Sequence, residues 1–332
     1  MKKKRLAVAL SVVGAVIITF VGISHGALHR SVMASLSEIY MAAINRDRIY
    51  EEGEAYNANM KARSVENLQD CGKPNGVSMD IEYHDTHEHG MQVFYFNEET
   101  FTDTIIMYIP GGGYTNNPLK YHWKIINTLS KETNQPVIMP IYLKVPNYTC
   151  EESYEKMIDF YLDVASRENV ERIILIGDSS GGGMSLVLAQ YIRDNYPEVL
   201  QPDDLILLAP WMDVSMDNEE IHDYEPVDPM LDIFGTRDIG RLWAGQLGVH
   251  HPMVSPIYGT FENLGRITMF VGTHDILCPD IEKFSDMLNE QGIDHTLIVK
   301  ENLDHPYPLF PTPEAREAQD MMVEIINETD TY

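Results

Sequence analysis

The sequence predicts an α/β fold with a mostly parallel central sheet of about eight strands and helices on both faces. From Thr104 onwards, short β-rich runs alternate with segments of helical periodicity, and this alternation is typical of a parallel sheet covered on both sides. One strand runs directly into a helix through the turn Gly177-Asp178-Ser179-Ser180-Gly181. The chain has 332 residues, of which 44% are hydrophobic, and is therefore long enough to bury one large core and to carry extra segments.

Net charge bears on the partners of the protein, and cysteine spacing bears on disulfide bonds. The 24 basic and 51 acidic residues leave a net charge of −27, which repels phosphate backbones, so we expect no nucleic-acid partner. The cysteines Cys71, Cys150 and Cys278 lie far apart and form no Cys-x-x-Cys pair. At most one disulfide bond can form, and we predict none.

The N-terminus carries a membrane-targeting pattern. Four basic residues, Lys2 to Arg5, precede Leu6–Ile23, an uncharged apolar run of 18 residues that would span roughly 27 Å as a helix. Basic residues before such a run keep the N-terminus in the cytoplasm. We therefore expect residues 1–27 to be a signal anchor in the cell membrane, with the rest of the chain outside. The alternatives are a signal peptide cleaved near Ser24-His25-Gly26, which would give a secreted protein, and a buried core helix.

The next segments lead into the sheet. Residues 28–76 contain apolar positions at helical spacing, which predict one or two helices that contribute to a cap. Val77–Tyr83 and Met91–Phe96 alternate like strands, and the polar stretch His84–Gly90 between them is typical of a hairpin turn. The three histidines of this turn suggest a metal site, but no other ligand is spaced to complete one, so we predict that no metal is bound.

Residues 77–332 form the main domain in this prediction. Its later strands are Thr104–Ile109, Val137–Ile141, the run before Gly177, Leu205–Leu208, Arg266–Val271 and His295–Val299. Its helices are Trp123–Glu132, Tyr154–Ser166, a helix ending at Asn195, one from Pro279 to Gln291, and Pro313–Asn327. A stretch rich in acids, prolines, tryptophan and methionine interrupts the alternation, and we interpret residues 211–256 as an inserted cap.

The turn around Ser179 has the pattern of a nucleophile elbow. A serine on a sharp strand-to-helix turn adopts strained backbone angles, and Gly177 and Gly181 are needed because a Cβ at either position would meet the neighbouring strand or helix. This geometry would hold the Ser179 hydroxyl above a helix N-terminus, which favours developing negative charge. A glycine-rich turn or a phosphate loop gives a similar pattern, so other residues must decide between them.

Three further signals follow strands. Pro110-Gly111-Gly112-Gly113-Tyr114 comes directly after one strand, and glycines there allow backbone N–H groups to point at a bound oxyanion. Asp275 and His305 each lie on a loop after a later strand, where open α/β sheets place their sites. The order of oxyanion loop, serine, aspartate and histidine is that of a Ser-His-Asp hydrolase.

With these motifs, the chain resembles the hormone-sensitive-lipase-like branch of the α/β-hydrolase fold, the carboxylesterases and acetyl esterases with an HGGG loop and a GDSAGG elbow. The resemblance covers roughly Val77 to Phe310. It implies that Ser179 is the nucleophile, that His305 is the general base and then the acid, and that Asp275 holds the imidazole tautomer. The same resemblance implies no metal or organic cofactor and gives the oxyanion donors as the backbone N–H groups of Gly111, Gly112 and Ser180.

Two residues depart from the family pattern. Pro110 replaces the histidine before the glycines, and Ser180 replaces the alanine after the nucleophile. Neither change removes a backbone donor, but Pro110 puts the positioning of the loop in doubt. We expect Tyr114 to narrow the entrance of the substrate pocket, and Trp211 and Met212, which follow the strand-end Pro210 in the family's manner, to line it.

The resulting expectation is a serine esterase that cleaves short-chain acyl esters of small molecules through an acyl-enzyme intermediate. An amidase or peptidase on the same triad is one alternative. A non-catalytic binding protein on a hydrolase scaffold is another. The natural substrate and the oligomeric state stay open.

Overall fold

A computed structural model describes residues 15–44, 53–100 and 102–328. Its core is an eight-stranded sheet with the order β1-β2-β4-β3-β5-β6-β7-β8. The strands are β1 (Tyr83–Glu88), β2 (Met91–Phe96), β3 (Thr104–Ile109), β4 (Val137–Ile141), β5 (Arg172–Asp178), β6 (Pro202–Leu208), β7 (Arg266–His274) and β8 (His295–Asp304). The strand β2 pairs antiparallel with both neighbours, and every pairing from β4 through β8 is parallel. The predicted mostly parallel sheet of about eight strands is therefore confirmed.

Helices precede the sheet and then alternate with its strands. They are α1 (Ala15–Ala27), α2 (Val32–Ile44), α3 (Glu54–Glu66), α4 (Lys120–Thr133), α5 (Cys150–Ala165), α6 (Ser180–Asn195), α7 (Ile221–Tyr224), α8 (Ile233–Ala244), α9 (Cys278–Glu290) and α10 (Pro313–Asn327). The closing helix α10 begins as its sequence predicts, because the hydroxyl of Thr312 accepts the N–H of Ala315 at 3.1 Å and Pro313 occupies the first helical position.

The sheet separates two hydrophobic layers. Along β3, Ile105 and Met107 face one layer whereas Ile106 and Tyr108 face the other, as the two-residue period of a strand requires. Helices α5, α6 and α9 cover the first face, and α4 and α10 cover the second. Both faces of β3 are buried, which explains why its sequence is a continuous apolar run rather than an alternating one.

The first hairpin differs from its prediction. The strand β1 begins at Tyr83 rather than Val77, and the polar stretch after Tyr83 belongs mostly to the strand. The chain reverses at His89 and Gly90, whose φ angles of 50° and 81° suit a two-residue hairpin turn. The prediction was wrong because β1 is a largely exposed edge strand, where polar side chains carry no burial cost.

The inserted segment and the N-terminal helices lie outside the sheet. The insert contains α7 and α8, and it meets α3 where the Tyr56 hydroxyl donates to Asp238 and the Tyr56 ring lies edge-on to Phe234 at 6.4 Å. These contacts join the two segments into one layer.

Most of the apolar run Leu6–Ile23 lies outside the described residues, which begin at 15. Within the described ranges, no single helix has the length and apolar content to cross a membrane. The pair Ala15–Ala27 and Val32–Ile44 meets both criteria when taken together, with a bend of 101° between the two helices.

Candidate active site

Ser179 lies at the sharp turn between β5 and α6. Its φ of 53° and ψ of −124° are the strained angles expected of an elbow. A Cβ on Gly177 would lie 2.4 Å from the carbonyl oxygen of Gly181, and one on Gly181 would lie 2.0 Å from that of Ile109. Both glycines are thus required by close backbone approach, as their spacing predicted.

Asp275 and His305 are brought together although 30 residues separate them in sequence. The loops after β7 and β8 place His305 Nδ1 2.7 Å from Asp275 Oδ2, and both side chains are buried. The other oxygen of Asp275 accepts the N–H of Leu277 at 2.9 Å. This arrangement fixes the ring and leaves Nε2 for proton transfer. His305 and Ser179 line the same cavity.

Nearby carboxylates determine the protonation of His305. Burial by itself lowers the pKa of His305, but the charge of Asp275 and its hydrogen bond outweigh this effect, with smaller contributions from Asp228 and Asp178. The net result is a pKa above the ordinary value of 6.5. The imidazole is therefore a stronger base than a free histidine.

Asp228 is a residue of the site that sequence reasoning missed. It lies in the insert, where one carboxylate oxygen accepts the N–H of Ile276 at 2.9 Å and the other accepts those of Met230 and Leu231. Burial and the neighbouring Asp275 charge raise the pKa of Asp228 to about 6. No local pattern marks it, because Asp228 is one acid among many in the insert.

The glycine loop corrects one predicted oxyanion donor. The N–H of Gly111 does not point into the cavity but donates to Asp178 Oδ1 at 3.0 Å. Gly112 and Gly113 do line the cavity, and among the described residues none accepts their N–H groups. Ser180 begins α6, so its N–H has no acceptor within the helix. The donors available for an oxyanion are therefore Gly112, Gly113 and Ser180.

A buried network around Asp178 holds the loop that follows Pro110. Asp178 accepts the Tyr108 hydroxyl at 2.8 Å and lies 3.1 Å from His122 Nε2. Burial raises the pKa of Asp178, but His122, the Gly111 N–H and Tyr108 together bring it below its ordinary value. In the sequence Asp178 directly precedes Ser179. A buried carboxylate at that position needs a hydrogen-bond partner, and this need is the signal that could have pointed to His122.

The cavity above Ser179 has a volume of about 310 Å³ and is mostly apolar. Its walls include Met41 from α2 and Met230 and Ile239 from the insert, so both segments contribute to the lining. Trp211 also lines the cavity.

Tyr114 and Met212 lie behind the wall, so their predicted place in the pocket is wrong. Both are fully buried and neither is among the lining residues. The ring of Tyr114 stacks on Trp243 at 4.0 Å and on Trp211 at 5.5 Å between centroids. The backbone of Tyr114 is left-handed, with φ of 55°, and neither this conformation nor the inward direction of the ring is visible in the sequence. Tyr114 therefore supports Trp211 instead of narrowing the entrance.

The predicted turn histidines are not gathered into a site. His87 lies 2.8 Å from Asp70, and His84 lies 3.4 Å from Glu98, on exposed side chains. In the part of the chain that the structure describes, no group of three or more His, Cys, Asp and Glu side chains is arranged to hold a metal ion.

The sheet order, the strained serine turn and the glycine loop define the class as an α/β hydrolase. Residues 106–309 match a family model described as alpha/beta hydrolase fold. The chain belongs to this family.

Relatives with curated names include esterases and lipases. A triacylglycerol lipase of Mycobacterium tuberculosis is 29% identical over 57% of this chain, but the match spans only 38% of that lipase. An esterase of Acinetobacter venetianus is 24% identical over 64% of this chain and 71% of its own length.

Solved structures show the same fold over most of the chain. A Staphylococcus aureus protein provisionally described as an esterase is 26% identical, with a TM-score of 0.81 over 86% of this chain and 97% of that protein. An esterase from the bacterial hormone-sensitive lipase family is 20% identical, with a TM-score of 0.74 over 87% of this chain and 96% of the esterase. The α/β-hydrolase fold predicted from the motifs is confirmed.

Proposed function

We propose that this protein hydrolyses carboxylic esters with Ser179 as nucleophile, His305 as general base and Asp275 as the group that orients His305. The observation that carries the proposal is the buried Asp275–His305 pair, joined at 2.7 Å, beside a cavity that also contains the strained Ser179. The names of the relatives support ester hydrolysis in particular.

The reaction follows from these positions. As Ser179 Oγ forms a bond to the ester carbonyl carbon, its proton passes to His305 Nε2, and the carbonyl oxygen becomes an oxyanion held by the N–H groups of Gly112, Gly113 and Ser180. The bond to the alcohol oxygen then breaks, and His305 returns the proton to that alcohol. Water attacks the acyl-enzyme by the same steps and releases the acid, with no metal or organic cofactor required.

The cavity supports a preference for short acyl chains. Each buried methylene of a substrate gains roughly 0.8 kcal/mol while space lasts. Trp211 is backed by the stacked Tyr114 and Trp243, so this wall cannot recede without disturbing packed rings, and overpacking costs about 1–3 kcal/mol. Met230 is the softer element of the lining. We expect the best substrates to carry acyl groups of about two to six carbons.

A series of p-nitrophenyl esters from acetate to palmitate tests the proposal, with p-nitroanilides of the same acids as the amide comparison. We expect kcat/KM to peak at short esters and to be far lower for the anilides. A value still rising at decanoate would contradict the proposed preference for short acyl chains. Faster anilide turnover would favour an amidase, and no turnover of any compound would favour a non-catalytic scaffold.

The N-terminal sequence supports a location at the cell membrane. We place the catalytic domain outside, because the basic residues Lys2 to Arg5 precede the apolar run. Secretion after cleavage near Gly26 is the competing outcome.

A further inference from the structure

The segment Leu28–Glu38, here called the N-terminal strap, packs against the ends of β7 and β8. Arg30 makes most of the contacts of this segment, and only 7% of its surface is exposed. The Arg30 guanidinium donates to the Glu38 carboxylate and to the carbonyl oxygen of Asn302, and its Nε donates to Ser35 Oγ at 3.0 Å. A buried cation must be paired in this way, because an unpaired one costs several kcal/mol.

Asn302 is the centre of a bulge that precedes His305. Gly272 of β7 pairs with Lys300 and His274 pairs with Asp304, so the single residue Thr273 faces three residues of β8. Asn302 has a left-handed φ of 57°, and its N–H donates to Thr273 Oγ1 at 2.8 Å. Bulges bend a strand and redirect the side chains that follow. The conformation of Asn302 therefore sets the direction in which the chain reaches His305.

The strap binds both polar ends of this bulge residue. The Asn302 side-chain amide donates to the Leu28 carbonyl at 3.1 Å, and the Asn302 carbonyl accepts from Arg30. Asparagine adopts a left-handed conformation more readily than most residues, and the strap supplies two of the contacts that hold Asn302 in this one.

The strap also reaches the strand that carries Asp275. Glu38, already paired with Arg30, lies 3.2 Å from Nδ1 of His274, the residue directly before Asp275. On its other side, the Ser31 hydroxyl donates to Glu314 of α10 at 2.9 Å. One segment thus connects the ends of both strands from which Asp275 and His305 project.

Arg30 also balances charge beside His305. Asp304 is 3% exposed, and within the described ranges its Oδ2 has no hydrogen-bond partner. Burial and the Asp228 charge raise the pKa of Asp304 to about 7, whereas the charges of Arg30 and His305 act in the opposite direction.

We propose that the N-terminal strap, through Arg30, sets the position of His305 relative to Asp275 and Ser179. Arg30 is then a positioning residue for the ester hydrolysis proposed above, on which this inference rests. Displacement of a catalytic group by about 1 Å can reduce turnover about 100-fold. The strap follows α1 directly, so the segment next to the membrane-targeting sequence would also support the active site.

The test compares Arg30→Gln with Arg172→Gln in the full chain. Arg172 is a matched control, because it also donates to a backbone carbonyl, that of Ile326, and pairs with Asp204. It lies at the start of β5, whereas Ser179 follows the end of that strand. Arg30→Gln loses a buried cation and Arg172→Gln a partly buried one, with side-chain exposures of 6% and 16%, and both variants are expected to melt at lower temperature. For the folded fraction of Arg30→Gln, we expect kcat for p-nitrophenyl butyrate to fall about 10- to 100-fold with KM changed less than about threefold. Arg172→Gln should keep kcat within about twofold, and Arg30→Lys should recover part of the loss.

Glu38→Gln provides a second, milder variant if Arg30→Gln does not fold, since it keeps the shape of the side chain that meets His274. We expect a smaller loss of kcat in the same direction. If folded Arg30→Gln keeps the wild-type kcat, the proposed positioning role of the strap is wrong. If Arg30→Gln does not fold, a wild-type kcat in Glu38→Gln would have the same meaning. Absence of turnover in the wild-type protein would instead reject the proposed function, so the two failures are distinguishable.

Discussion

The backbone N–H of Gly111 donates to the carboxylate of Asp178 at 3.0 Å, and this bond ties the glycine loop to the turn that carries Ser179. It takes Gly111 out of the set of oxyanion donors and leaves Gly112 and Gly113 facing the cavity. Because Asp178 is also 3.1 Å from His122, the loop is anchored to α4 although Pro110 stands where the family has a histidine.

The first prediction concerns this anchor. His122→Phe replaces one ring by another but removes the Nε2 group that lies 3.1 Å from the buried Asp178 carboxylate. Because a buried polar group then loses a hydrogen-bond partner, we expect a cost of about 1–3 kcal/mol of unfolding free energy. The loop should also shift, so kcat should fall. Chemical denaturation and ester assays check both effects. His295→Phe, which alters a histidine bonded to Ser285 at the other end of the sheet, should cost far less stability and leave kcat unchanged; equal losses would contradict the account.

The second prediction concerns the orientation of His305. Asp275→Asn should leave folding nearly intact but reduce turnover about 10⁴-fold, because an amide favours the wrong imidazole tautomer. Steady-state assays with p-nitrophenyl butyrate measure the change. Asp304→Asn is the comparison, since Asp304 is next to His305 in sequence and its Oδ2 is unpartnered among the described residues. A larger loss in Asp304→Asn than in Asp275→Asn would show that the roles are exchanged.

The third prediction concerns pH. Only neutral His305 can accept the Ser179 proton, and its pKa is raised, so kcat/KM should fall as pH decreases through a value above 6.5. Asp228→Asn removes one negative charge that raises this pKa, so the acidic limb should move to lower pH. Profiles of kcat/KM from pH 5 to 9 check the direction. Asp194→Asn changes an exposed carboxylate on α6 and should not move the limb, and an upward shift in Asp228→Asn would be inconsistent with the geometry.

The parallel part of the fold was predictable because its strands are buried on both faces. The bounds of Thr104–Ile109, Val137–Ile141 and Pro313–Asn327 agree with the sequence patterns, since continuous apolar runs and helical periodicity are local signals. The exposed edge strand β1 lacked such a signal and was misplaced.

The candidate site was predictable where each residue belongs to a local motif. The prediction failed where segments distant in sequence meet. Ser179, Asp275 and His305 each follow a strand, and topology alone brings those strand ends to one edge of the sheet. The engagement of Gly111 by Asp178 and the burial of Tyr114 behind Trp211 depend on backbone angles and on packing across the fold, which no local pattern specifies.

The fourth prediction concerns the N-terminus. The full chain should sediment with membranes, and a chain that begins at Leu28 should be soluble and active, because it keeps the Leu28 carbonyl and Arg30 that hold Asn302. Fractionation followed by ester assays makes the comparison. Protein found in the medium with an N-terminus just after Gly26 would support secretion instead.

The most direct test of the central claim is covalent labelling with a fluorophosphonate probe, located by mass spectrometry. We expect the wild-type protein to carry one label, on the peptide that contains Ser179, and Ser179→Ala to carry none while remaining folded. Ser180→Ala is the matched control and should label at a similar rate, because it keeps the backbone N–H. Labelling of Ser179→Ala at the wild-type rate, or no labelling of the folded wild-type protein, would contradict the assignment of Ser179 as the nucleophile.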